Sequence, residues 1–330
     1  MSEIHNHPHA YEYDPLPVVP LKIPTVSNPF KESFDNSKLD FEITTSPIYL
    51  ATNEEKYGEY GSDACRDKQA VVKLNKDGSV EDWWVVGKDY FVKSHRDFYE
   101  SIEEKMIERF DPNHIAYVDI KTKSSRNGRW GLREYIFNRI SIPIQTTNNF
   151  ETIITFRIVA WSGLDGMTAN NYLLGAFDNY CLNGCVWSNS ETDYTRMKKR
   201  NSKLFDMEYF SDRLVNASED FYRKSKEFQT MAETRLTPYE GLNFLEELKA
   251  SGKKIEGFKD LYLDEVEVRG ENVFALHSAL TNYASHQNED KFSTRKTKYF
   301  NDQAPELMFK REEEVTNIFQ SKQWANFIAA

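Results

Sequence analysis

The amino-acid sequence predicts an α+β fold: a central antiparallel sheet with a packed helix, a helical C-terminal third and an extended N-terminal arm. Three observations predict it. Strand-like runs separated by turn residues fill residues 70–187, helical spacing takes over after Trp187, and six of the eleven prolines fall within the first thirty residues. The expected division is an arm over residues 1–45, a β-rich core over 46–190 and a helical region over 191–330.

The arm comes first. Pro8, Pro15, Pro17, Pro20, Pro24 and Pro29 remove amide donors and favour extended polyproline conformation. Leu16, Val18, Val19, Leu21 and Ile23 give the same stretch an apolar side with which to dock on a neighbour. Next, Val71–Leu74, the turn Asn75–Gly78 and Trp83–Val86 read as a hairpin ending at Gly87. Phe98, Ile102, Met106, Ile107 and Phe110 recur at helical spacing, and Ser94 with Asp97 makes a capping box for that helix. Residues 115–121 alternate, Ser124–Gly128 turns, and Trp130–Ile142 returns. Ile153–Trp161 then leads through Gly163–Gly166 into a further strand from Met167.

In the C-terminal third, Thr237, Pro238 and Glu240 open a helix over 238–249 whose buried stripe is Leu242, Phe244, Leu245 and Leu248. A second helix starts near Asn272 with Val273, Leu276, Leu280 and Tyr283. A last one runs from Pro305, with Phe309, Val315, Ile318, Phe319 and Trp324 available for packing.

Composition narrows the class. Only 39% of the 330 residues are hydrophobic, but aromatics reach 14%, and rings bury enough area each to build a core. Fully disordered and collagen-like chains are excluded. No stretch approaches the roughly 20 apolar residues of a spanning helix, and the start MSEIHNHPHAYEYDP lacks the pattern of a secretory signal. Three cysteines cannot make a disulfide framework, so a reducing compartment, the cytoplasm, is expected. The net charge of −10 opposes a generic polyanion binder without excluding a local basic groove.

Three basic clusters stand against that background. Lys121, Lys123, Arg126, Arg129, Arg133 and Arg139 share their stretch with one acid, Glu134. Arg196, Lys198, Lys199, Arg200 and Lys203 form the second cluster, and Lys291, Arg295, Lys296 and Lys298 the third. The first is interleaved with Trp130, Tyr135 and Phe137. Strand alternation puts Arg129, Gly131, Arg133, Tyr135, Phe137 and Arg139 on one face. Cations that track a backbone beside rings that stack bases, each base worth about 1–3 kcal/mol, are what single-stranded DNA binding requires. The candidate contacts are therefore Lys121, Lys123, Arg126, Arg129, Trp130, Arg133, Tyr135, Arg139 and Arg157, extended by Lys198, Lys199 and Arg200. The competing reading is a solvated hairpin face whose rings cover the core.

No cofactor and no metal is expected. His5, His7 and His9 alternate but have no further ligand anchored nearby, and His95, His114, His277 and His286 are scattered singly. Cys181 and Cys185 have the wrong spacing for a zinc ribbon and read as buried hydrophobes. Asp119-Ile120-Lys121, preceded by Glu100, Glu103 and Glu104, offers a metal-dependent nuclease site that lacks a second strand carboxylate; Asp111 is a distant candidate. There is no phosphate loop, GxGxxG, GxSxG or HExxH. The sequence contains no convincing active site, and a non-enzymatic role is expected.

Thr155–Trp161, Asp165-Gly166, Gly175-Ala176-Phe177 and Cys181-Leu182-Asn183-Gly184, with Asn272–His286 further on, resemble in order a phage and plasmid family, the domain of unknown function 932. The resemblance spans residues 80–328 and omits the arm. It implies a role among mobile-element genes in DNA replication, recombination or packaging. Members often carry a cation just after the aromatic that Phe177 matches; Asp178 stands there instead, so a phosphate contact made by that cation would be lost or moved elsewhere. Asp165-Gly166 suits a tight turn and Asn183-Gly184 a left-handed one. The function expected is a phage- or plasmid-type single-stranded DNA-binding or annealing accessory protein, homo-oligomeric and without a membrane partner. The alternative is a structural protein that oligomerises through its N-terminal arm.

Overall fold

The computed structural model describes residues 29–35, 37–51, 62–166, 170–180, 183–185, 207–286 and 305–329. It is α+β, with two antiparallel sheets where the sequence suggested one. Strands β1 (Glu42–Ala51), β2 (Ser62–Leu74) and β3 (Val80–Gly87) form a three-stranded sheet in that order. Strands β4 (Val118–Ser125), β5 (Trp130–Gln145), β6 (Glu151–Gly163), β7 (Asn171–Asp178) and β8 (Asn183–Cys185) form a five-stranded meander. The hairpin read from residues 71–87 is present, and Gly78 supplies the left-handed residue of its turn at φ 80°.

The expected arm gives way earlier than residue 45. Pro29–Asp35 forms helix α1, and β1 begins at Glu42. Proline suits a first helical turn, and Phe30 and Phe34, four residues apart, lie on one side of α1 and are each 1% exposed. Burying two phenyl rings anchors this segment on the core. Residues 1–28 lie outside the described residues.

Helix α2 (His95–Arg109) starts where Ser94 Oγ accepts the amide of Asp97. Its buried side carries Phe98, Tyr99, Ile102 and Met106; Ile107, expected in that stripe, faces solvent. Ile115, expected in a strand, closes the short helix α3 (Pro112–Ile115), which Asp111 caps. Helices α4 (Met207–Val215) and α5 (Ala217–Glu233) then cover the same side of the five-stranded sheet as α1 and α2. Phe34, Phe98, Tyr135, Phe156, Phe210 and Phe221 belong to one continuous cluster. The first core therefore draws on residues from both sides of the expected boundary at residue 190.

A second core begins near Leu236. It joins α6 (Pro238–Glu246), α7 (Gly252–Arg269), α8 (Val273–His286), α9 (Pro305–Phe319) and α10 (Lys322–Ala329). The capping box of α6 is formed as the sequence predicts: Thr237 Oγ1 accepts the Glu240 amide, and the Glu240 carboxylate accepts the Thr237 amide. Among the described residues no helix is long and apolar enough to cross a membrane.

Candidate functional site

Pairing register decides where the predicted cations point. In the β4–β5 hairpin Lys121 lies opposite Glu134 and Lys123 opposite Leu132; across β5 and β6, Tyr135 lies opposite Ile158 and Ile136 opposite Arg157. Arg133, Tyr135 and Phe137 do share a face, as alternation predicts, but that face is turned inward onto α1 and α2. Arg157 shares the other face with Glu134. The predicted contacts thus divide between opposite sides of one sheet.

Each buried arginine among the predicted contacts meets a carboxylate. Arg133 is fully buried: its Nη2 lies 3.0 Å from Glu103 Oε1, its Nε donates to Tyr135 OH at 3.2 Å, and Tyr135 OH donates to Glu103 at 2.7 Å. Burial pushes the Glu103 carboxyl above its usual range, and the Arg133 charge opposes that shift. Arg157, 1% exposed, donates from Nη1 to Glu134 at 2.6 Å and from Nη2 to Glu312 of α9 at 2.7 Å. Burial disfavours its charge, but the two carboxylates outweigh burial and hold the guanidinium protonated. Neither side chain can reach a phosphate in solvent. Trp130, 1% exposed, packs with Leu132, Val159 and Leu173 and offers no stacking face.

At the hairpin tip, Arg126 pairs with Asp165, and Arg129 grips Asp82 of β3 with Nη2–Oδ2 and Nη2–Oδ1 at 2.8 and 3.0 Å. These two cations fasten the hairpin to the rest of the molecule. Lys121 stands over the Phe177 ring at 4.2 Å, and Arg139 over Tyr117 at 4.2 Å. Only Lys121, Lys123 and Arg139 of the described candidates are solvent-exposed. Lys198, Lys199 and Arg200 lie outside the described residues, as do the third basic cluster, the N-terminal histidines and Cys181. No continuous basic-aromatic trough forms among the described residues.

The nuclease constellation does not converge either. Asp119 is exposed and accepts from Asn138, Asp111 caps α3, and Glu103 is held by Arg133 behind the sheet. Among the described residues no group of three or more His, Cys, Asp or Glu side chains could hold a metal ion. His95 is buried, its Nε2–H donating to the Gly128 carbonyl at 2.6 Å, and burial pushes it down to about 4. His277 is also buried and stacks on Phe319 at 4.5 Å.

Two motif residues change meaning. Asp178 is 1% exposed and pairs with Arg269 at 2.6 Å, so its position is an interior ion pair and not a phosphate contact. Gly184 is not a left-handed turn residue. It sits in β8, where the Arg157 guanidinium occupies the space a Cβ would take. Glycine is required there by close approach, not by φ. At Asp165-Gly166 the turn reading holds, with Gly166 at φ 72°.

The clearest concavity is a cleft of about 1320 Å³ between the three-stranded sheet and the hairpin tip, lined among others by Thr45, Lys73, Arg96, Ser124 and Asn127. Asn127 and Gly128 on its wall, and Arg126 just before them, all have positive φ. Its charges compensate one another: Lys73 pairs with Glu81, and Arg96 with Asp35, Asp40 and Glu100. A site so balanced favours neither a polyanion nor acid–base chemistry.

The exposed surface that sequence reading missed is on β3. Its signal was the pair Trp83-Trp84, because adjacent residues of a strand face opposite ways. Trp84 points inward, 6% exposed, and its indole N–H donates to the Leu164 carbonyl. Trp83 points outward, 58% exposed, beside Val85 at 46%. No family model, curated protein or solved structure matches this chain.

Proposed function

We propose that this chain is a non-enzymatic assembly protein that joins copies of itself through its proline-rich N-terminal segment. The observation that supports this reading is the anchor at residue 29. Phe30 and Phe34 are sunk in the core, and the Phe30 carbonyl accepts Arg133 Nη2 at 3.1 Å. Residues 1–28 are therefore joined to a rigid root. Their prolines oppose folding back as helix or central strand, while their Leu, Val and Ile side chains still require burial. Deleting residues 1–28 and measuring mass by light scattering tests the proposal. The full chain is expected at a multiple of 38.6 kDa and the truncated chain at the mass of one copy, with its melting unchanged. A mass per particle that deletion does not reduce to one copy overturns it.

A second reading keeps single-stranded DNA as the partner, in phage or plasmid replication or recombination. It rests on Lys121, Lys123 and Arg139, exposed along the margin of the five-stranded sheet. Anisotropy of a labelled oligonucleotide should then fall with salt, log affinity changing by about −0.7 per phosphate contacted in log salt. Replacing these three residues with alanine should flatten that slope. No binding at low salt ends this reading.

A further inference from the structure

We infer that the outward face of the three-stranded sheet, centred on Trp83, is the receptor for residues 15–24 of a second copy of the chain. The inference rests on the assembly reading above and names the surface it uses. Trp83 lies opposite Val72 and Val85 opposite Ala70 in the β2–β3 register, while Thr44 and Ser46 of β1 continue the same rows. The result is an apolar strip edged by hydroxyls on a sheet whose opposite face is packed. The indole N–H of Trp83 donates to no described residue, whereas that of Trp84 is satisfied.

That chemistry fits one kind of occupant. A proline-rich segment carries backbone carbonyls with no internal partner, and flat aromatic surfaces with a free N–H recognise such segments. Pro15-Leu16-Pro17-Val18-Val19-Pro20-Leu21-Lys22-Ile23-Pro24 supplies four prolines and five aliphatic side chains in ten residues. Prolines at this density favour extended conformations before binding, so docking such a segment costs little ordering entropy.

Geometry favours a second copy over the chain's own segment. Helix α1 packs on the five-stranded sheet and α2, whereas Trp83 faces away from that body. Five residues, Thr25–Pro29, reach about 17 Å at most. Passing around a three-stranded sheet requires about 10 Å across its strands and a further ~10 Å between its faces.

Light scattering on a dilution series of the full chain, Trp83→Ser and the chain lacking residues 1–28 tests this. The outward position of Trp83 keeps the fold intact, which circular dichroism checks. The expected result is an oligomer for the full chain, single copies for the truncated chain, and a dissociation constant raised by at least about thirty-fold for Trp83→Ser, the scale of an interfacial tryptophan anchor. A synthetic peptide of residues 12–28 should bind the truncated chain and not its Trp83→Ser form.

If truncation dissociates the oligomer but Trp83→Ser does not, the assigned face is wrong while the assembly reading survives. If Trp83→Ser dissociates it and truncation does not, the face meets something other than the N-terminal segment. A peptide that binds at Trp83 while the full chain stays at the mass of one copy overturns the second copy as its source. A truncated chain with undiminished mass removes both the inference and the reading beneath it.

Discussion

The two sheets treat polar and aromatic residues in opposite ways. The five-stranded sheet hides charge: Arg133 on one face and Arg157 on the other are both closed off from water and matched by carboxylates. The three-stranded sheet hides little on its outer side and leaves a tryptophan more than half exposed, although the neighbouring tryptophan is buried and hydrogen-bonded. Charge density along a sequence therefore does not report exposure. A row of arginines and rings can be a core face once a helix brings it an acid, and the surface available for recognition can lie on a strand that carries few cations.

The largest effect that would sharpen this contrast comes from Arg157. Replacing it with alanine leaves Glu134 and Glu312 buried without their cation and is expected to cost about 3–5 kcal/mol in urea unfolding. Adding Glu134→Gln and Glu312→Gln should recover part of that loss. A loss below about 0.5 kcal/mol, the scale of an ordinary surface change, would mean that the sheet's interior charge is not structural.

His95 gives the next effect. Its folded-state value of about 4 lies below the ordinary histidine value of 6.5, because burial disfavours the imidazolium; the Gly128 carbonyl and the Asp165 charge oppose burial and are outweighed. The unfolded chain therefore binds the proton first as pH falls. Stability is fully present above about 6.5, declines through that window, and is lower by roughly 3 kcal/mol once pH passes below the folded value. His95→Gln keeps an N–H for the Gly128 carbonyl and should flatten this limb of a stability–pH curve. An unchanged limb in that variant would assign the acid sensitivity elsewhere.

The smallest effect belongs to the other sheet. Trp83→Ser is expected to leave the stability of the single, truncated chain within about 0.5 kcal/mol of the parent. Trp84→Ala, one residue away, should cost about 3–5 kcal/mol in the same unfolding experiment. Equal losses at the two positions would erase the difference between an outward and an inward ring.

Local chemistry made much of the fold legible. The caps at Ser94 and Thr237, the Asn75–Gly78 turn and the β4–β5 alternation each depend on residues within a few positions of one another. Alternation also found the row Arg133, Tyr135, Phe137 correctly. It could not say which way the row faced, because Glu103 arrives from α2 and Phe30 from α1. Likewise Glu312 is 155 residues from Arg157, so nothing near Arg157 foretold its neutralisation. Two sheets looked like one because β1, which follows α1, carries Pro47 in its middle, and an internal proline weakens a strand signal. Gly184 was misread for the same kind of reason: its neighbour is a guanidinium from another strand.

Assembly through the N-terminal segment is tested most directly by amine cross-linking of an equal mixture of ¹⁴N- and ¹⁵N-labelled full-length protein. Lys22 lies within the docking segment, and Lys68 and Lys88 border the Trp83 face, Lys68 pairing with Gly87 beside it. The expected result is Lys22 joined to Lys68 or Lys88 between differently labelled copies, and the loss of those products in Trp83→Ser. Cross-links found only within one isotope label, or none reaching β2 and β3 at all, would contradict it.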